Sequence, residues 1–178
     1  MASPLQRIAV TLGDPGGIGP ELFLMLGEQT KAWADTALIG YGPAAALRAA
    51  AEVVEAPGWK AISRPVEATG SGLFLIDSSP WYNQHQWGHP SAEGGRAAHE
   101  ALEAACMGLN GQQVTALLTL PIHKPSIQQK NFAFPGHTEY LANKFDAASP
   151  LMEMILEEFR LALVTAHLPL TDVPAAIT

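Results

Sequence analysis

Short apolar runs alternate with helix-like segments through the first part of the chain. Residues 8–12 form an apolar run that ends at a glycine, and residues 21–26 carry apolar side chains at helical spacing. The order recurs in residues 37–40, a predicted strand, and residues 43–54, an alanine-rich predicted helix that opens with proline. Residues 61–62 indicate a weaker strand. This alternation predicts an α/β fold with a parallel sheet.

A polar excursion separates these elements from two stronger ones. The apolar run of residues 72–77 precedes the polar and aromatic residues 81–90, which are expected at the surface. The spacing then predicts a long helix from Ser91, a residue suited to an N-cap, to Leu109. Residues 114–119 read as a buried strand that leads into the turn at residues 120–125. Because open α/β sheets bind ligands beyond the carboxyl ends of their strands, this turn is a candidate for function.

The last third has fewer clear elements. Residues 126–130 are typical of a short helix, and residues 134–145 carry a His-Thr-Glu sequence into another. Residues 151–156 and 161–165 are apolar runs separated by residues 157–160, a spacing that predicts a β-hairpin.

Composition narrows the class of protein. The chain has 178 residues, 48% of them hydrophobic and 15% charged, which is enough for one globular domain or slightly more. The net charge is −7 and the ten basic residues are scattered, so nucleic acid is not an expected partner. Neither an apolar leader nor a run of about 18 apolar residues occurs, so no membrane association is expected. The single cysteine, Cys106, suits a reducing compartment, and we expect a cytoplasmic protein.

The glycines of residues 13–19 lie between a predicted strand and a predicted helix. Backbone N–H groups in such a loop can hold a phosphate or a carboxylate, although a tight turn that needs glycine is an equal alternative. The loop lacks the Gly-Lys-Ser/Thr sequence of a Walker motif, and Pro15 and Pro20 interrupt any dinucleotide fingerprint.

Several polar side chains are candidates for a site. His137 and Thr138 follow a glycine, which allows close approach to a ligand, and offer a ring nitrogen and a hydroxyl side by side. His167 ends an apolar run, where a neutral imidazole could coordinate a divalent ion. His123 and Lys124 lie in the turn after a predicted strand, where a polar substrate or solvent could meet them.

Five sequence motifs, in this order, resemble those of the 4-hydroxythreonine-4-phosphate dehydrogenases of pyridoxal phosphate (vitamin B6) biosynthesis. They are Thr11–Glu21, Ser91–Ala98, Thr119–Lys124, Phe134–Leu141 and Thr165–Leu170. The motifs extend over this whole chain but match the first half of a family member. We therefore expect residues 1–178 to be the N-terminal portion of a dehydrogenase about twice this length, with no internal subdomain boundary assigned.

The resemblance implies an α/β fold with two domains, like that of isocitrate and isopropylmalate dehydrogenases, here truncated. It also implies a homodimer that oxidises 4-phosphooxy-L-threonine with NAD, giving a 3-keto acid that decarboxylates to 3-amino-2-oxopropyl phosphate. A divalent metal, zinc, magnesium or cobalt, is expected to bind the substrate.

The resemblance also assigns three residues. His137 and Thr138 match the substrate-binding pair of the family, and His167 matches the first of its three metal-binding histidines. The catalytic base and the NAD-binding residues stay unassigned, and the chain alone is expected to be inactive because the other metal ligands lie in later motifs. Two alternatives stay open: a dehydrogenase of four-carbon sugar acid phosphates (erythronate or threonate 4-phosphate), and a non-catalytic binding or assembly remnant.

Overall fold

The computed structural model describes residues 4–83, 85–128, 132–148, 150–165 and 168–177, and the chain forms two compact units, residues 1–134 and 135–178. The elements of the first unit are, in chain order, β1 (Gln6–Thr11), α1 (Gly19–Gln29), β2 (Thr36–Gly42), α2 (Ala44–Ala51), β3 (Trp59–Ala61), a 3₁₀ turn (Pro65–Glu67), β4 (Gly72–Asp77), α3 (Ala92–Asn110), β5 (Ala116–Thr119) and α4 (Lys124–Ile127). The second unit contains α5 (His137–Lys144), β6 (Met152–Leu156), β7 (Phe159–Leu163), a 3₁₀ turn (Leu170–Asp172) and α6 (Val173–Ala176).

The first unit is built on a parallel sheet, as the alternating pattern predicted. Its strand order is β3-β4-β2-β1-β5, and every pairing in it is parallel. The chain moves from β1 through β2 to β3 at the edge and returns to β4, which lies between β3 and β2. Helix α3 then carries it from β4 to β5 on the other side of β1. The direction of winding therefore reverses between β1 and β5, and this reversal is where open α/β sheets bind ligands.

Both faces of the sheet are covered by helices. One face packs with α1 and α2 around fully buried side chains that include Leu12, Phe23 and Leu47. The other face packs with α3 around Ile39, Phe74 and several alanines, which let the helix lie close to the strands. Strands buried on both faces read as continuous apolar runs, and this explains why the first elements could be predicted from the sequence.

The prediction of a buried strand at residues 114–119 was partly wrong. The strand is shorter, Ala116–Thr119, and its residues are alternately exposed and half-buried, with Leu118 42% exposed. Within the described ranges β5 pairs with β1 and no other strand, so it forms an edge of the sheet. An apolar sequence predicts a strand but not its position in the sheet.

The long helix is found where it was predicted. Helix α3 begins after Ser91, whose hydroxyl accepts a hydrogen bond from Gly94 N–H at 2.9 Å, and ends at Asn110 before Gly111. Cys106 is buried in this helix. The predicted short helix starts earlier than expected, at Lys124, because Pro125 favours the first turn of a helix.

The second unit contains the predicted hairpin. Strands β6 and β7 pair antiparallel from Met152 opposite Leu163 to Leu156 opposite Phe159. The turn has two residues instead of the predicted four, and Glu157 adopts the left-handed conformation with φ of 53°. Large apolar side chains of the hairpin stay exposed, among them Leu156 at 71% and Phe159 at 66%.

Among the described residues, no helix combines the length and apolar character needed to cross a membrane.

Candidate functional site

Two loops meet beyond the carboxyl ends of β1 and β5. Asp14 N–H donates a hydrogen bond to the carbonyl oxygen of Pro121 at 2.9 Å, which ties the loop after β1 to the turn after β5. Gly13 has a φ of 70°, and a Cβ atom there would overlap the same carbonyl oxygen. Glycine is therefore required at residue 13 both by backbone conformation and by this close approach.

The side chain of Asp14 occupies the centre of the glycine loop. It is 8% exposed, and its Oδ1 accepts a hydrogen bond from Gly16 N–H at 3.0 Å. The backbone oxygen of Asp14 accepts a second one from Gly17 N–H, also at 3.0 Å. The predicted anion cradle is thus partly filled by the protein itself, since the N–H groups of residues 16 and 17 are both directed at Asp14.

The same carboxylate lies beside the N-terminus of α3. A Cβ atom built on Gly94 would lie 3.1 Å from Asp14 Oδ1 and 3.2 Å from Ser91 Oγ. The N-terminus of a helix carries a partial positive charge, which stabilises a carboxylate at this position. A Cβ atom on Gly95 would overlap the backbone of Ser126, so two adjacent glycines let α3 approach both the loop and α4.

A cavity of about 290 Å³ opens between the two loops. Asp14, Gly17 and Ile18 line one side, and Pro121, Ile122 and His123 line the other. His123 Nδ1 lies 2.7 Å from Ser126 Oγ, which fixes the ring at the start of α4. The side chain of Lys124, the other candidate of this turn, is exposed. We call this space the switch-point cavity, because it lies where the winding of the sheet reverses.

Glu100 of α3 anchors the start of the polar excursion, residues 81–90, together with Ser79 just before it. Its carboxylate accepts hydrogen bonds from Ser79 Oγ and Trp81 Nε1, each at 2.7 Å, and from Arg96 Nε at 2.8 Å. The Arg96 guanidinium also lies over the Trp81 ring, 4.2 Å from its centroid. Burial acts to raise the pKa of Glu100, but these hydrogen bonds and the Arg96 charge outweigh it and lower that pKa below its usual value.

The far end of the excursion contacts the glycine loop directly. Gly88 N–H donates to the carbonyl oxygen of Gly16 at 2.9 Å, and Gly88 has a φ of 69°. His85 packs edge-on against Trp87, with 4.2 Å between ring centroids. Neither ring nitrogen of His85 has a hydrogen-bond partner within the described ranges, and burial lowers its pKa while the charge of Asp14 opposes that shift. The excursion therefore forms a wall of the site.

A second cavity, of about 460 Å³, is lined by the excursion and by residues at the start of α3. Its lining includes Tyr82, His89, Ser91 and Glu93. Burial raises the pKa of Tyr82, and the negative charges of Asp14 and Glu93 raise it further. The phenol is therefore a neutral hydrogen-bond donor at neutral pH.

The candidates His123 and Lys124 lie in the first unit, whereas the predicted substrate-binding residues lie in the second. His137 and Thr138 occupy the first turn of α5 in the second unit, where His137 is half-buried and Thr138 is exposed. His167 lies outside the described residues, so its predicted metal role stays a prediction. Within the ranges that the structure describes, no group of three His, Cys, Asp or Glu side chains is arranged to hold a metal ion.

Sequence reasoning missed Asp14 and Glu100 as residues of the site. The signal for Asp14 was present, since an acid inside a glycine loop between a strand and a helix lies at the carboxyl end of the sheet. The partners of Glu100 at residues 79 and 81 are 21 and 19 positions away in sequence, respectively, and no local pattern reveals such a contact.

Comparisons with known proteins agree with these motifs. The family model described as pyridoxal phosphate biosynthetic protein PdxA matches residues 33–178. The 4-hydroxythreonine-4-phosphate dehydrogenase of Vibrio cholerae is 34% identical over 176 residues, covering 97% of this chain and 52% of that protein. A protein of the same name from a Sulfurihydrogenibium species is 34% identical, and the match covers 98% of this chain and 53% of that protein. The chain thus spans about half the length of the curated relatives it matches.

Solved structures show the same fold. The crystal structure of 4-hydroxythreonine-4-phosphate dehydrogenase from Klebsiella pneumoniae matches with a TM-score of 0.81 and 29% identity, over 96% of this chain and 54% of that one. The corresponding structure from Burkholderia phymatum gives a TM-score of 0.82 at 26% identity, over 96% and 52%. Because the family model matches most of the chain, the chain belongs to the pyridoxal phosphate biosynthetic protein PdxA family.

Proposed function

We propose that the protein containing this chain oxidises 4-phosphooxy-L-threonine at its C3 hydroxyl with NAD and a divalent metal, in pyridoxal phosphate biosynthesis. The observation that carries this proposal is the match to relatives named 4-hydroxythreonine-4-phosphate dehydrogenase along 97% of the chain. The product is a 3-keto acid, which loses carbon dioxide readily and leaves 3-amino-2-oxopropyl phosphate. The protein is expected to act in the cytoplasm on a small phosphorylated substrate.

We propose that the whole protein has a two-domain fold like that of isocitrate and isopropylmalate dehydrogenases. This chain forms its N-terminal portion. Its parallel sheet, with a cavity at the reversal of winding, suits such an enzyme. The described residues fit a nucleotide cofactor in general terms, because this cavity lies at the carboxyl ends of the strands. The nicotinamide supplies the hydride chemistry when NAD is bound, and the protein supplies binding and orientation.

The substrate is proposed to contact His137 and Thr138. Both lie in the first turn of α5, where Gly136 precedes the helix without a side-chain cap. Backbone N–H groups and the positive end of a helix dipole favour an anionic group there, and the Thr138 hydroxyl is exposed to meet one. This arrangement supports a role in binding the charged end of the substrate.

The metal site is proposed to include His167 and to take zinc, magnesium or cobalt. One imidazole does not hold a catalytic metal, and the described residues offer no group of three ligands. Further ligands must therefore come from residues beyond those described.

A homodimer is proposed from the exposed hairpin. Its apolar side chains include Leu156 at 71% exposure, Met154 at 57% and Ile155 at 60%. A two-stranded hairpin is marginal in water, and an exposed apolar surface of this kind marks an interaction site. Sedimentation equilibrium of the protein with and without Ile155→Lys tests this proposal, since the lysine is expected to shift a dimer toward monomer.

Turnover tests the proposed reaction. The protein is mixed with NAD, 4-phosphooxy-L-threonine and zinc, magnesium or cobalt, and NADH formation is followed by absorbance. Erythronate 4-phosphate serves as the comparison substrate; because it has a hydroxyl where the amino acid has an amine, it is expected to react far more slowly. The 178-residue chain alone is assayed beside it and is expected to form no NADH. Faster turnover of the sugar acid phosphate would contradict the proposed substrate.

A further inference from the structure

The switch-point cavity contains a buried carboxylate whose hydrogen bonding is incomplete. Asp14 lines this cavity and is 8% exposed. Within the described ranges its carboxylate accepts one hydrogen bond, from Gly16 N–H to Oδ1. A buried carboxylate ordinarily has several partners, because removing the charge from water is costly unless hydrogen bonds replace the water. Among the described residues the other carboxylate oxygen has no protein donor, and Asp14 lines a cavity where a ligand can supply one.

Among the described residues, the cavities around this acid are lined without a basic side chain. Those that line the switch-point cavity and the one of about 460 Å³ beside it include neither lysine nor arginine. The same holds for the described lining of a third adjoining cavity, of about 570 Å³. Two more acids, Glu93 and Glu21, line these neighbouring cavities. Clefts lined by one sign of charge repel ligands of the same sign, so a phosphate is disfavoured here.

The cavity walls are rigid, which makes Asp14 suitable for recognition. The hydrogen bond from Asp14 N–H to Pro121 fixes the backbone, and the N-terminus of α3 lies against the carboxylate. His123 forms part of the opposite wall and is held by Ser126. A carboxylate fixed before binding loses little freedom when a ligand binds, and this favours a specific contact.

We infer that the switch-point cavity binds the hydrogen-bond-donating, non-anionic part of a ligand, and that Asp14 accepts a hydrogen bond from it. The inference rests on the proposed function and deepens it. Two groups of the proposed reaction have this chemistry: the hydroxyl or amide groups of NAD, and the ammonium group of the amino acid substrate. Phosphate groups of either molecule lie outside this cavity.

The Asp14→Asn variant tests the inference with little change in shape. Asparagine retains an oxygen that can accept from Gly16 N–H, but its NH₂ group turns an acceptor into a donor facing the ligand. The matched control is Asp35→Asn, which makes the same change at an exposed residue before β2, at the opposite end of the strands. Isothermal titration calorimetry measures binding of NAD, 4-phosphooxy-L-threonine and inorganic phosphate to the wild-type protein that contains this chain and to both variants of that protein.

The expected result is that Asp14→Asn weakens either NAD or 4-phosphooxy-L-threonine about tenfold to a hundredfold, while Asp35→Asn leaves both unchanged. The ligand that is weakened identifies the source of the donor group. Phosphate binding is expected to be the same in all three proteins. The inference is overturned if Asp14→Asn and the wild-type protein bind both organic ligands with equal affinity. It is also overturned if the wild-type protein binds neither NAD nor 4-phosphooxy-L-threonine at millimolar concentration.

A second measurement needs no variant, in case Asp14→Asn lowers the melting temperature. Hydrogen–deuterium exchange of the wild-type chain is compared with and without the ligand that binds. Slower exchange in peptides covering residues 13–19 and 120–124 is expected, and unchanged exchange in both contradicts the inference. If the protein reduces NAD while exchange in these peptides and the affinity of Asp14→Asn are unchanged, the inference fails but the proposed function stands.

Discussion

The two units of the chain differ in how far their apolar side chains are buried. In the first unit Phe23 is fully buried under a sheet with helices on both faces. In the second unit Phe159 is 66% exposed on a two-stranded hairpin. The first unit has enough secondary structure to cover its own core, whereas the second presents an apolar surface. The units therefore have different sources of stability.

The two units also differ in how firmly they hold their candidate functional residues. The switch-point cavity and Asp14 lie in the first unit, where hydrogen bonds and close backbone approaches fix each wall. His137 and Thr138 lie in the second, on an eight-residue helix with Tyr140 as its buried side chain. A site on a packed scaffold is held more tightly than one on a short exposed element.

A pair of phenylalanine substitutions tests most directly whether the two units differ in the burial of their apolar side chains. Phe23→Ala removes a fully buried ring and is expected to cost about 3–5 kcal/mol of unfolding free energy. Phe159→Ala removes an exposed ring and is expected to cost less than about 1 kcal/mol in the monomeric chain. Urea denaturation followed by circular dichroism measures both, and similar losses would contradict the contrast between the units.

A second pair tests the close packing behind the site. Gly95→Ala places a Cβ atom onto the Ser126 backbone and is expected to cost about 1–3 kcal/mol, because α3 and α4 must separate. Gly58→Ala is the control, since a Cβ atom there meets nothing within 4 Å. Denaturation midpoints compare the two, and a Gly95→Ala midpoint equal to that of the control would show that the helices do not need this approach.

A third test concerns the wall formed by the excursion. Glu100→Gln weakens the hydrogen bonds from Ser79, Trp81 and Arg96 and is expected to cost about 1–2 kcal/mol. Glu103→Gln, an exposed acid one turn later, is expected to be nearly neutral. The pKa of Glu100 is lowered in the folded state, so its contribution is present above its ordinary value and disappears as the pH falls through the folded value. Glu100→Gln should therefore flatten the acid side of the stability profile, and an unchanged profile would rule this role out.

The smallest expected effect is at Tyr41. Its hydroxyl is buried without a hydrogen-bond partner in the described part of the chain, so Tyr41→Phe should change stability at neutral pH by less than about 1 kcal/mol. Burial raises the pKa of Tyr41 to about 12 from the ordinary 10.0. Between these pH values the unfolded chain loses the proton and the folded chain keeps it, so stability falls as the pH rises. Thermal melting across this range should show a weaker decline in Tyr41→Phe than in wild type.

Much of the first unit could be predicted from local sequence. Continuous apolar runs gave β1, β2 and β4, and Ser91 correctly marked the start of α3 because its hydroxyl caps the helix. The hairpin of the second unit was also predicted, from two apolar runs at short separation. The prediction that β5 is buried was wrong, because the exposure of a strand depends on which strands lie beside it.

The candidate site was predicted in part. The glycine loop and the turn at residues 120–125 were both recognised, since each follows a strand. Their meeting around Asp14, and the support from Glu100, were missed because these contacts join segments far apart in the chain. The substrate role of His137 and Thr138 stays a prediction, as does the metal role of His167.

The alternation of strands and helices and the cap of α3 follow from the sequence alone, because they depend on side chains within a few residues of each other. Membership of the family also follows from the sequence, because it depends on motifs in a fixed order. Packing between distant segments places β5 beside β1 and opens the cavity at this reversal. It also buries the Asp14 carboxylate there, with one hydrogen bond from the residues that the structure describes. The physical reason is that hydrophobic patterning specifies which face of an element is buried, whereas strand order and the burial of a charge follow from packing between distant segments.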